Sequence, residues 1–240
     1  MGHGLPGTYA DDFRAMLLVA GRTPGVEPDQ LAVFWPMVGA RYTGELMVIG
    51  RAVNGWIDSA RTSELGDEAV TAAATAAVRR TSEGSEGCPM RWVTEAWGRG
   101  GGRYSTARSS FWRLTRRVLA RVDADSRSDP LWASRLAWSN LAKLAPCLGG
   151  NPGGQLLELQ RRLGPRLLAE EIAELEPKRI LVLTGEWWFE PFGAALGLLF
   201  DGEGGRVQSV IDPAGRLWVV APHPQGKPRA LLDEVVEAFG

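Results

Sequence analysis

Residues 164–185 read GPRLLAEEIAELEPKRILVLTG, and their interpretation decides the fold class. Leu163, Leu167, Leu168, Ile172 and Leu175 recur at the spacing that puts apolar side chains on one face of a helix. Pro177 lacks the amide that would continue the helix and stops it. The next run, RILVLT at 179–184, is nearly all apolar without alternating. Such a strand is buried on both faces, which is the condition of a parallel sheet covered by helices.

Three further runs of the same kind lie elsewhere: ELMVIG at 45–50, LAWSNL at 136–141 and LWVVA at 217–221. Helical patterns fill the intervals. Residues 67–80 are alanine-rich, and 109–122 carry Phe111, Leu114, Val118 and Val122 on one stripe. Residues 228–239 start with proline and place Leu231, Leu232, Val235 and Val236 on one face. Strands alternating with helices predict one α/β domain over residues 1–240. It is expected as a three-layer α/β/α stack around a four-stranded parallel sheet, with residues 1–44 as an N-terminal helical extension. The glycine-rich stretches at 81–87, 98–102, 149–154 and 202–205 read as loops, none long enough for an interdomain linker.

Bulk composition narrows the function. With 45% hydrophobic and 23% charged residues, the chain is an ordinary globular sequence. The net charge of −1 means that a polyanion must be held by a local patch rather than a global field. Cys88 and Cys147 are the only cysteines, which excludes a disulfide framework and a four-cysteine zinc or iron–sulfur site supplied by this chain. The apolar run at 15–20 follows Asp11 and Asp12 rather than a basic leader, so it reads as a helix face and not a signal peptide. No stretch approaches the ~18 apolar residues of a membrane span. A cytoplasmic monomer without a membrane partner is the expectation.

Open α/β sheets bind ligands beyond the carboxyl ends of their strands. The first run is followed by Gly50-Arg51-Ala52-Val53-Asn54-Gly55-Trp56, and the second ends at Ser139-Asn140 before Lys143, Pro146 and a Gly149-Gly150-Asn151-Pro152 turn. The third ends at Thr184-Gly185-Glu186, and the fourth at Pro222-His223-Pro224-Gln225-Gly226-Lys227. Parallel strands would bring these segments together.

Taken in order, GxxxNG after a strand, Asn-x-x-Lys-x-x-Pro, a Gly-Asn-Pro turn, residues 164–185 and HPQGKPRALLDE resemble the uracil-DNA glycosylase superfamily over roughly residues 45 to 239. The resemblance implies base recognition in single- or double-stranded DNA and N-glycosidic cleavage, a base-excision repair activity with no cofactor and no metal. In that family the first motif carries an acidic or amide residue that handles water. Here Ala52 stands at that place, in the base-binding loop, with Val53 where proline is usual; Asn54 is then the catalytic candidate. Asn140 matches the asparagine that reads the edge of an extruded base, a task suited to an amide because it offers both donor and acceptor. His223 matches the histidine that donates to the charge developing on the departing base. Tyr104, in GRYST before a helix, is the candidate stacking ring, and Phe111 is an alternative whose helical spacing also fits core. Gly226 and Lys227 before the last helix suit a phosphate. Arg51, Arg103 and Arg108 complete the implied DNA contacts; the last two lie in an arginine-rich stretch, 99–121, without acidic residues.

Other readings stay open. Asn140 fits equally the closure of strand-end backbone groups, His223 the cap of a turn, and the arginines a solvated helix face. Asp11, Asp12 and the Glu170–Glu171 pair offer paired carboxylates for a metal, although the pattern turns the latter pair to solvent. A dinucleotide fingerprint is missing its middle glycine in Gly50-Arg51-Ala52-Val53-Asn54-Gly55. The alternative function is a catalytically silent member of the same fold that binds nucleic acid or a nucleotide-like ligand.

Overall fold

A computed structural model describes residues 7–26, 30–53, 59–61, 87–98, 104–200 and 206–240. In chain order the elements are α1 (Gly7–Arg22), β1 (Gln30–Val33), β2 (Met37–Val38), β3 (Met47–Gly50), β4 (Ser59–Arg61), α2 (Arg91–Gly98), α3 (Ser110–Val122) and β5 (Ala137–Asn140). There follow β6 (Leu144–Pro146), α4 (Gly154–Leu175), β7 (Arg179–Val182), α5 (Glu186–Ala195), β8 (Gln208–Ile211), β9 (Leu217–Val220) and α6 (Arg229–Glu237).

The four apolar runs become β3, β5, β7 and β9, and they lie side by side in the order β5-β3-β7-β9, every pair parallel. The sheet is not four-stranded, however. Antiparallel β2 and β8 extend its two edges to six strands, making it mixed. The N-terminal 44 residues are likewise not purely helical, because β1 and β2 follow α1. β1 joins β4 and β6 in a second, three-stranded antiparallel sheet.

Alternate side chains of the central strands bury on opposite faces. Val48, Leu181 and Val219 pack with Trp112, Leu114 and Val118 of α3 and Val235 of α6. Met47, Ile49, Ile180, Val182 and Trp218 pack with Leu168, Ile172 and Leu175 of α4 and Phe189 and Phe192 of α5. Helices therefore cover both faces, as the unbroken apolar strands require. A third cluster joins Tyr9, Phe13 and Leu17 of α1 to Leu31 of β1 and to Leu156 and Leu159 of α4.

Two local features keep α4 in place. Glu176 caps its end in the left-handed region, φ 43°, so that Pro177 can follow and the chain can turn into β7. Gly164 lets α5 approach, since a Cβ there would lie 2.8 Å from the Phe192 ring. The expected helix at 67–80 falls outside the described residues.

Candidate functional site at the strand ends

Parallel registry places Gly50, the last residue of β3, opposite Asn140, the last of β5. The absence of a side chain at Gly50 has a direct consequence. A Cβ there would sit 2.4 Å from Asn140 Oδ1 and 3.5 Å from the Phe111 ring, so the amide and the ring close on the same point. Asn140 is 2% exposed, and its Nδ2 has no hydrogen-bond partner. A buried donor left unpaired costs on the order of 1–3 kcal/mol, a cost that a ligand carbonyl would relieve.

Phe111 leads on to His223. Their rings are close to parallel, 21° apart, with centroids separated by 6.5 Å. His223 follows β9 in a turn closed by Lys227 N–H donating to the Pro224 carbonyl at 3.2 Å. Gly226 has φ +70° in this turn, which favours glycine. The backbone N–H of Gln225 donates to His223 Nδ1 at 3.3 Å. That contact assigns the ring proton of the neutral form to Nε2, leaving it as a donor. Burial, with the positive charges of Arg51 and Lys227 added, lowers the His223 pKa below its ordinary value and favours this neutral form.

Arg51 is pinned by Nε donating to the Thr184 carbonyl at 2.9 Å, and its guanidinium lies 5.7 Å from the centre of the Trp188 ring. Burial lowers its pKa. No carboxylate of the described residues pairs with Arg51 or with Lys227. The strand ends thus present a cationic rim, an orphan amide donor and an imidazole donor.

Ala52 lies in the loop after β3, partly buried against the core, with nothing but a methyl group to offer. Asn54 and Arg103 lie outside the described residues. Arg108 is exposed at the end of a short helical turn. Tyr104 is not brought to this site by any described contact. It is 55% exposed and its ring leans on Trp92, centroids 6.4 Å apart. The first turn of α3 overhangs the ends of β3 and β9 and brings the alternative ring, Phe111, near Gly50 and His223. The basic stretch is partly consumed by structure: Arg116 covers Trp97 and Trp132, and Arg117 pairs with Asp233 of α6.

Beneath the strand ends lies a polar cluster that the sequence pattern misplaced. Glu171 does not face solvent; it is fully buried. Its Oε1 meets Lys143 Nζ at 2.6 Å and accepts from Tyr9 at 2.8 Å, while Oε2 accepts from Ser139 at 2.6 Å. Lys143 Nζ also donates to Ser139 Oγ and to the Asn140 carbonyl, both at 2.7 Å. Burial pushes the Lys143 pKa down while Glu171 holds it up. Asp12 and Glu170 are counter-ions of Arg166, at 2.5 and 3.5 Å. Among the described residues no three metal-ligating side chains cluster.

No protein-family model matches the chain, and no curated protein matches it.

Proposed function

We propose that the protein holds an extruded DNA base over Gly50 and cleaves its N-glycosidic bond, in the manner of a uracil-DNA-glycosylase-like fold. The observation that carries this reading is the buried Asn140 amide, whose Nδ2 is unpartnered and whose Oδ1 shares the space over Gly50 with the Phe111 ring. A planar base stacked on Phe111 would present an edge carbonyl to that amide. The order β5-β3-β7-β9 agrees with it, since the strand order reverses at β3, and open α/β sheets bind ligands at the carboxyl ends beside such a reversal.

As the bond to the sugar breaks, negative charge grows on the departing base. His223 Nε2–H, Arg51 and Lys227 supply the donor and the positive field that stabilise it, and water completes the reaction at the sugar carbon. Asn54 is the polar side chain of the first motif left to position that water.

One observation favours a second reading. Ala52 puts a methyl group where a water-handling side chain is expected, which suits a protein that binds a base without cleaving it. A single assay separates the two. Oligonucleotides bearing uracil, hypoxanthine or xanthine are incubated with the protein and scored for abasic sites. Cleavage lost on His223→Ala supports the enzyme. Binding without cleavage, sensitive to Asn140→Ala, supports the silent form, and indifference to both variants sinks the site.

A further inference from the structure

Trp187 is the one described tryptophan that is exposed, at 57%. It stands in the first turn of α5, directly after β7 delivers the chain to the same sheet end as Gly50, Asn140 and His223. The ring is held in place. Arg161, from α4, lies over it with its guanidinium 4.3 Å from the centroid, and that guanidinium is itself anchored by Glu158 at 2.9 Å. Trp188 meets Trp187 edge-on at 5.4 Å and 86°, and Arg51 lies 5.7 Å from Trp188 on the other side. A continuous ladder, Arg161–Trp187–Trp188–Arg51, therefore runs from the surface to the rim of the site. Gly185 N–H, donating to the Ala221 carbonyl at 2.9 Å, ties its base to the end of β9.

We propose that this ladder is a stacking platform for one unpaired base of single-stranded DNA, the neighbour of the base held over Gly50. The proposal rests on the base-binding reading and adds the form of the nucleic acid. An indole left open on one side and backed by a cation on the other is the kind of surface on which bases stack without regard to sequence. Arg51, with no carboxylate partner among the described residues, matches the negative strand, whereas Arg161 is already paired with Glu158, and the exposed Glu186 and Glu190 on the same helix disfavour a phosphate against it. The contact is thus with a base face. In duplex DNA the faces of the neighbouring base are already occupied by stacking, so the platform serves a single strand.

The test uses the full chain and a fluorescein-labelled 12-nucleotide oligo-dT with one central deoxyuridine, alone or annealed to its complement, read by anisotropy. Free deoxyuridine, read by calorimetry, is the control for the base site. Trp187→Ala is expected to weaken single-strand binding roughly 5- to 150-fold, the range for loss of one base–aromatic stack. Trp187→Phe should restore most of it, and the duplex and deoxyuridine affinities should stay at wild-type values. The factor lost should be alike at low and high salt, because no phosphate contact is removed. Equal weakening of single strand and duplex, no weakening at all, or a factor that shrinks with salt would overturn the platform. Loss of deoxyuridine binding in Asn140→Ala bears instead on the base site, so the two ideas fail separately.

Discussion

The molecule holds two polar regions one layer apart, and Asn140 belongs to both. Below, its carbonyl accepts from Lys143 in a cluster where Glu171, Ser139 and Tyr9 give every polar group a partner. Above, its side-chain Nδ2 has none, and Arg51 and Lys227 set positive charge beside the His223 ring without an opposing carboxylate among the described residues. A satisfied buried network fixes geometry; an unsatisfied one awaits something from outside. The lower region therefore reads as architecture, and the upper one is the place proposed for a ligand. Substitutions should separate them, the lower acting on stability and the upper on binding and turnover.

The largest expected effect falls on the lower region. Lys143→Met strands the Glu171 carboxylate in the core and should cost about 3–5 kcal/mol of stability. Lys143→Met with Glu171→Leu removes both charges and should recover most of that loss. Urea unfolding of the single and double variants reads the difference. A single variant as stable as wild type would remove the contrast between the regions.

In the upper region His223→Ala should leave the urea midpoint almost unmoved and lower any cleavage by on the order of 10²–10³-fold, as for a lost oxyanion donor. Asn140→Ala deletes a donor that has no partner, so its stability cost should stay within about 1 kcal/mol while discrimination between bases erodes. Competition among oligonucleotides carrying different bases measures that erosion. If Asn140→Ala destabilised the fold as strongly as Lys143→Met, the amide would belong to the architecture after all.

The lower region also explains what the sequence concealed. Glu171 lies four residues after Leu167 and four before Leu175, on the very stripe that packs inward. Its neighbour Glu170 and its own charge nevertheless suggest a solvated pair. Only the arrival of Lys143, from the turn between β5 and β6, makes its burial tolerable, and that pairing is not a property of the helix. The four central strands were legible because each is buried on both faces. β8 was not, being a half-exposed QSVI that alternates, nor was β2 with its two residues. Phe111 shares the α3 stripe with Leu114 and Val118, so spacing alone could not say that the helix's first turn overhangs the site. Tyr104 drew attention by lying in a loop, yet it rests on Trp92. Asn140 and His223 were singled out from their positions at strand ends, the one locational rule the fold imposes, and the structure sets Gly50 opposite Asn140 at that end.

A smaller effect is expected where the lower region reaches α1. Tyr9→Phe removes one charge-assisted hydrogen bond but leaves Glu171 with Lys143 and Ser139, so about 1–2 kcal/mol should be lost. Base discrimination should be untouched. A change in discrimination would mean that α1 communicates with the site through Glu171 and that the two regions are not separable.

The smallest effect concerns the protonation of His223. Burial, then Arg51 and Lys227, place its pKa below the ordinary value, so the native state resists protonation more than the unfolded chain does. As pH falls through the ordinary histidine value, about 6.5, the unfolded chain takes up a proton first, and native stability declines until the folded pKa is passed. Above the ordinary value the contribution is fully present. Arg51→Ala withdraws one of the positive charges and should raise the His223 midpoint, with His3 as an internal reference in an NMR titration. The shift should shrink as salt rises, since part of it is Coulombic. It should also narrow the pH window over which stability declines. A bound anion should move the midpoint in the same upward direction by offsetting the same charges. A midpoint indifferent to Arg51→Ala would mean that burial alone keeps the ring neutral, and that Arg51 serves Trp188 and the Thr184 carbonyl rather than the imidazole.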